Sequence, residues 1–271
     1  MVAVQLVIGF AVSILVPLFC AADSDTVLQS VLVSSIVSSV LTILLFALMR
    51  WCPVSDDFIG RRPWGVLLWT VVLSVAMLAP LSWLEEQIPE CLRENLMADT
   101  LEALVHSSWG FVAIALFAPL SEEVVFRGAV IPALMEWKKS SVWMAIFISA
   151  VFFAVVHLNP AQMPHAILVG MILGWLFVRT RSIIPGLVLH CINNGMTFVM
   201  TWSCPDLKMD DDLLTYFGGD AQMMYGTIMV SVAVMCLALW QLHRMLPKPE
   251  ALWGENGKLH AEGSHSLPNV W

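Results

Sequence analysis

The chain is short of charge. Only 13% of its 271 residues are Asp, Glu, Lys or Arg, about half the roughly 25% of an ordinary soluble domain, so little polar side chain is available to cover a water-facing surface. Cations are scarcest: 13 Lys and Arg stand against 21 Asp and Glu, a formal charge of −8. A nucleic-acid partner needs a basic face, and none is present. Six cysteines and 15 glycines in this length exclude a disulfide miniprotein and a collagen repeat, and composition excludes disorder. No internal repeat is legible. What fills the gap is apolar: 59% of residues are hydrophobic, against about 45–50% in soluble domains, more than one soluble core would bury.

A membrane-crossing helix needs about 20 mostly apolar residues. Runs bounded by charged or turn-forming clusters predict eight spans, approximately Val2–Cys20, Leu28–Met49, Trp64–Leu84, Ser108–Met135, Ser141–His157, Gln162–Val178, Ile183–Trp202 and Gln222–Leu242. The expected fold class is therefore all-α, a polytopic membrane helical bundle. Ala21-Ala22 after the first run would suit a signal-peptide cleavage site, but no Lys or Arg precedes that run, which reads as a retained helix. Residues 1–246 form one integral membrane domain, and 247–271 a mobile cytoplasmic tail.

Lys and Arg collect on the cytoplasmic side of short loops. Alternate connections put Arg50, Arg61, Arg62, Lys138, Lys139, Arg179, Arg181, Arg244, Lys248 and Lys258 on one side, ten of the thirteen. Both termini are then cytoplasmic. The other side holds Arg93 and Lys208 among the acids Glu85, Glu86, Glu90, Glu94, Asp99, Glu102, Asp206, Asp210, Asp211, Asp212 and Asp220. Cys91 and Cys204 fall on that outer side, where a disulfide and two free thiols are both compatible with the sequence.

One span breaks the apolar rule. Ser121-Glu122-Glu123-Val124-Val125-Phe126-Arg127 puts three ionisable groups near bilayer depth, where each costs about 2.5–3.5 kcal/mol on insertion scales and must face protein, water or another charge. Glu123 and Arg127 are four apart in the favourable acid-first order and form a self-neutralising clamp. Glu122, about 100° around the helix, points elsewhere and is left as the candidate base. A packing network between helices with no chemistry is the alternative for the trio.

Three of the seven histidines fall in spans: His157, His165 and His190. His165 reads as hydrogen-bonded to a carbonyl or to headgroup water. His190 shares its helix face with Asn194, four residues on, and Asn193 is a close second; Phe153, four before His157, puts a ring beside that imidazole. Glu122, His157, His190 and Asn194 come from three helices, and one water-filled cavity would serve all four. A carboxylate beside imidazoles and an amide supplies what water-driven peptide hydrolysis needs, a base and donors for the oxyanion. Serine chemistry lacks a Gly-x-Ser-x-Gly elbow, and Cys191 points about 100° from His190. The expectation is no cofactor; the mechanistic rival is zinc held by Glu122, His157 and His190, although no His-Glu-x-x-His pair occurs.

Glu122-Glu123-x-x-x-Arg127, Phe153-x-x-x-His157 and His190-x-x-x-Asn194, in this order on hydrophobic helices, resemble the three motifs of the CAAX protease and bacteriocin-processing (CPBP, or Abi) family of intramembrane endopeptidases. The likeness covers about Phe111 to Thr201, within a four-helix catalytic core of about 108–202. It implies a membrane protease in which Glu122 activates water and His157, His190 and Asn194 complete the site, with Glu123, Arg127 and Phe153 in support. It implies a membrane-associated or prenylated-type substrate and a lipid bilayer as partners. A bacterial inner membrane is the expected location and the endoplasmic reticulum the alternative. The rivals of a different class are a silent membrane scaffold and a proton-coupled transporter, which would show matching polar sites in two halves; here the polar residues are confined to spans four, five and seven. Untilted spans would set His157 near the outer end and His190 about 10 Å from the inner end, so tilt, or a kink near Pro132, must bring them level.

Overall fold

The computed structural model describes residues 2–15, 24–52, 58–60, 62–89, 98–138, 141–157, 159–160, 162–204, 206 and 211–249. Cys20, Cys91 and most of the expected tail lie outside the described residues. Helices supply every regular element among those described, and no strand occurs. The apolar runs become α1 (Val2–Leu15), α2 (Ser24–Leu48), α3 (Trp64–Glu86), α8 (Val142–Val156), α9 (Met163–Thr180), α10 (Ile184–Ser203) and α12 (Ala221–Met245). Two elements the hydropathy pattern leaves as loop are α4 (Ala98–Val105) and the short α11 (Leu213–Tyr216).

The charged span is not one regular α-helix. It runs through α5 (Ser108–Phe111), a π-helical turn π1 (Val112–Phe117), α6 (Ala118–Glu122), a second turn π2 (Glu123–Val130) and α7 (Ile131–Lys138). Each π turn closes with a bond to the carbonyl five residues back, Ala118 N–H to Ala113 and Ile131 N–H to Phe126. Each closes one residue before a proline, Pro119 and Pro132. Proline brings no N–H and crowds the preceding turn, and widening that turn accommodates it. The second of these turns lies just before Pro132, where the sequence allows a kink.

Five stretches are long and apolar enough to cross a membrane: Leu28–Leu48, Trp64–Glu86, Trp109–Glu136, Met163–Thr180 and Ala221–Met245. Two further apolar helices, Leu6–Leu15 and Val142–Val156, are shorter. The chain is a polytopic helical membrane protein. α3 packs along α12 and α10, α9 along α8 and α10, and α1 along α2, which in turn lies against π1 and α6. A core of Leu73, Met77, Ile131, Ile146, Leu173, Leu176, Leu189 and Leu242 joins α3, α7, α8, α9, α10 and α12. A second apolar cluster of Phe46, Val125, Phe126, Phe153 and Ala166 surrounds π2.

The two ends of the bundle differ in charge. At one, Arg179 at the end of α9 donates to the His243 and Leu246 carbonyls at 2.8 and 2.6 Å, covering the C-terminal carbonyls of α12 that no helical N–H reaches. At the other, Glu85 meets His165, and the Leu213 N–H donates to Glu86. Among the described residues, Arg179 and the Glu85–Glu86 pair therefore mark opposite ends of the bundle.

Candidate active site

Glu123 and Arg127 are fully buried, at 0% and 1% side-chain exposure. Close pairing is what offsets the cost of burying two such charges, although Glu123 Oε2 and Arg127 Nε find no hydrogen-bond partner. Arg127 Nη1 donates to Glu123 Oε1 at 2.9 Å, its Nη2 reaches the Gly170 carbonyl at 3.4 Å, and its guanidinium lies 4.4 Å from the centre of the Phe153 ring. Gly186 makes room on the α10 side: a Cβ there would stand 2.8 Å from Glu123 Oε2. Gly170 and Gly174, the small-residue face of α9, approach Ala150 and Ile146 of α8 in the same close way.

His190, 2% exposed, joins the clamp. Its Nδ1 lies 3.0 Å from Glu123 Oε1, and its Nε2 lies 3.5 Å from Glu122 Oε2. A carboxylate that already accepts from Arg127 can only accept again, so Nδ1 carries the hydrogen and donates. The two glutamates leave the helix about 100° apart, but one imidazole between them presents a nitrogen to each. Glu122 Oε2 accepts no well-aligned hydrogen bond, and Glu122 retains 19% side-chain exposure.

Phe153 brings the second histidine to this level. Its ring centre is 4.7 Å from that of His157 and 5.5 Å from that of His190, edge-on to both. His157 Nδ1 donates to the Phe153 carbonyl at 2.7 Å, which fixes the ring; the imidazole is exposed. The axial offset that untilted spans predict between the histidines is absent: both rings meet Phe153.

Asn194 sits where the helix irregularity needs it. In the π1 register the Ile114 carbonyl should receive the N–H of residue 119, which is proline and has none. Asn194 Nδ2 donates to that carbonyl at 3.1 Å, satisfying a group that would otherwise be orphaned. Asn193 takes another direction, with Nδ2 3.5 Å from His165 Nε2, while His165 Nδ1 lies 2.7 Å from Glu85 Oε1. His165 is therefore part of a half-buried link between α3, α9 and α10. It is not the carbonyl- or water-bound residue of the sequence reading.

Glu122 opens onto a cavity of about 420 Å³ walled by α1, α2 and α6 and by Val156 of α8. Glu122, His190, Phe153 and His157 thus form a continuous row from a buried ion pair to an exposed histidine, with Glu122 the one of the four that lines the cavity. Among the described residues no three His, Cys, Asp or Glu side chains converge as a metal-binding set. Glu122 and His190 face each other, but His157 turns its Nδ1 to a carbonyl and meets His190 only across the Phe153 ring. Glu122, His157 and His190 do not converge as a donor set for zinc in this geometry.

What sequence reasoning missed is the Ile114 carbonyl and the part α2 plays in the site. The signal for the first is Pro119 itself, five residues after Ile114.

Residues 104–196 match the family model described as type II CAAX prenyl endopeptidase Rce1-like. The matched segment is similar to that family of membrane proteases and contains Glu122, Glu123, Arg127, Phe153, His157, His190 and Asn194. It leaves out α1, α2, α3, α11 and α12. No curated protein and no solved structure matches the chain.

Proposed function

We propose that the chain is an intramembrane endopeptidase that hydrolyses a peptide bond of a membrane-associated or prenylated-type substrate, with Glu122 as the base that activates water. The observation that carries this reading is the unequal use of two adjacent carboxylates. Glu123 spends its charge on Arg127 and His190 inside the protein, whereas Glu122 faces His190 on one side and a cavity on the other. In the reaction Glu122 removes a proton from a water that attacks the substrate carbonyl carbon. The C–N bond then breaks, and the proton passes to the leaving amine. His190, its tautomer held by Glu123, presents Nε2 to Glu122 and relays that proton. His157 and the second amide hydrogen of Asn194 complete the site on the side of the developing oxyanion. The match of residues 104–196 to a CAAX endopeptidase family supports the same substrate class. The loop charges support both termini on the cytoplasmic side, in a bacterial inner membrane or, as the alternative, the endoplasmic reticulum.

The test is turnover of quenched peptides, prenylated CAAX-type and unmodified, by the purified protein in lipid. Glu122→Gln should abolish cleavage while leaving the protein folded, and a chelator should have no effect. Loss with chelator and rescue by zinc would replace the carboxylate mechanism with a metal-assisted one. Turnover surviving Glu122→Gln would show that the base lies elsewhere. A folded parent inert to every peptide would favour a scaffold.

A further inference from the structure

The cavity beside Glu122 is lined on one side by hydroxyls. Ser35, Ser38, Ser39 and Thr42 of α2 and Ser121 of α6 face it, opposite Leu6, Gly9 and Phe10 of α1 and Val156 of α8. At 100° per residue the four α2 hydroxyls fall within about 100° of arc, so one face of an otherwise apolar span is polar. Ser39 and Thr42 are buried, and Ser121 Oγ, one residue from the base, lies 3.4 Å from Ser39 Oγ. Ser38 donates its own hydrogen to the Ser35 carbonyl at 3.0 Å, which leaves its lone pairs to accept. From Ser35 to Thr42 the row rises about 10 Å, the length of about three extended residues. α1 and α2 lie wholly outside the family match.

A peptide bond can be cut only where the chain is unwound, and an unwound chain at membrane depth exposes N–H and C=O groups that cost several kcal/mol each if unpaired. Serine and threonine hydroxyls both donate and accept. We infer that the hydroxyl face of α2 binds the extended backbone of the substrate polypeptide and presents its carbonyl to Glu122, with α1 as the apolar wall for side chains. An isoprenoid chain in the same place would leave the hydroxyls facing hydrocarbon. The inference rests on the protease reading above, and names Ser35, Ser38, Ser39 and Thr42 as substrate-positioning residues.

Gly9 offers a test that spares the fold, since a Cβ there would meet no atom within 4 Å and leucine is the better helix former. Gly9→Leu fills the cavity from the α1 side. With a cleavable peptide, Gly9→Leu and the double variant Ser35→Ala/Ser38→Ala should each raise KM about tenfold, with kcat changed much less, as expected when ground-state binding is removed. A second readout does not need turnover. A peptide carrying benzoylphenylalanine beside the scissile position is crosslinked to Glu122→Gln protein in lipid and the adduct is mapped, in parallel with a benzophenone-bearing isoprenoid. Adducts of the peptide on 35–42, abolished by Gly9→Leu, would uphold the inference even if no cleavage were found. It is overturned if the isoprenoid takes those positions, if the peptide crosslinks elsewhere, or if folded Gly9→Leu protein cleaves with the parent's KM.

Discussion

At the scale of single residues the adjacent glutamates should separate cleanly. Glu123 shares one oxygen between Arg127 and His190 at 2.9 and 3.0 Å with no exposure, so Glu123→Gln leaves a buried guanidinium without its counter-charge. It should lower unfolding stability in detergent by about 3–5 kcal/mol, whereas Glu122→Gln should leave the melting midpoint close to the parent's and remove activity alone. A midpoint that falls equally in both would mean that Glu122 is structural too. Cys52 makes a second prediction. Burial pushes its thiol up to about 11, above the ordinary value near 8.5, so the folded protein holds a proton that the unfolded chain releases. That raised value contributes stability in full below about pH 8.5, and the contribution is lost as pH rises toward 11. Thiol-reagent kinetics should accordingly show Cys52 inert at pH 8.5 while Cys204, exposed at the C-terminal end of α10, reacts. Fast labelling of Cys52 in the folded protein would contradict this.

The elements explain why these residues meet. α10 can approach the clamp because Gly186 has no side chain: a Cβ would lie 2.8 Å from Glu123 Oε2, and Glu123 is locked on its other side by Arg127. Gly186→Ala should therefore push α10 and His190 away from the glutamates, with at least about a hundredfold loss of kcat/KM, equivalent to about 2.7 kcal/mol, while the helix content seen by circular dichroism is unchanged. Parent-like activity would mean that the helices shift freely, and the close approach would lose its meaning. The π1 turn makes a complementary case. Asn194→Leu strands the Ile114 carbonyl at a cost of about 1–3 kcal/mol. Adding Pro119→Ala supplies the missing N–H and should recover part of that stability in a double-mutant cycle. Strictly additive effects would disconnect Asn194 from the proline.

For the whole molecule, the polarity of the bundle is the quantity at stake. α12 begins at Ala221 near the acidic end, and its C-terminal carbonyls are covered by Arg179 at the basic end. Gln222 and Lys248 are exposed at its two extremities. The loop charges assign the Lys248 end to the cytoplasm. Single cysteines placed at Gln222 and Lys248 should thus label from opposite sides with an impermeant thiol reagent: Gln222→Cys in intact cells, Lys248→Cys only after permeabilisation. The reverse pattern would invert the topology, and labelling of both from one side would remove the crossing.

Composition and hydropathy alone determine that this is a helical membrane protein, because 59% apolar and 13% charged residues admit few other solutions. The local spacing Glu123–Arg127 determines the ion pair, since both partners sit on one helix and need nothing else to meet. The spacings Phe153–His157 and His190–Asn194 put each pair on one helix face for the same reason. What these residues touch was decided elsewhere. That one imidazole bridges Glu122 and Glu123, that Asn194 answers the Ile114 carbonyl across 80 positions, and that His165 pairs with Glu85 all depend on contacts between helices. Hydropathy cannot set helix rotation or depth. The same holds for the cavity: the serines of α2 read as ordinary small residues in a span until α1 and α6 enclose them around Glu122. Periodicity within a helix is a local property carried by the sequence, whereas burial of a polar group among several helices is a property of their packing, and only the tertiary structure could supply it.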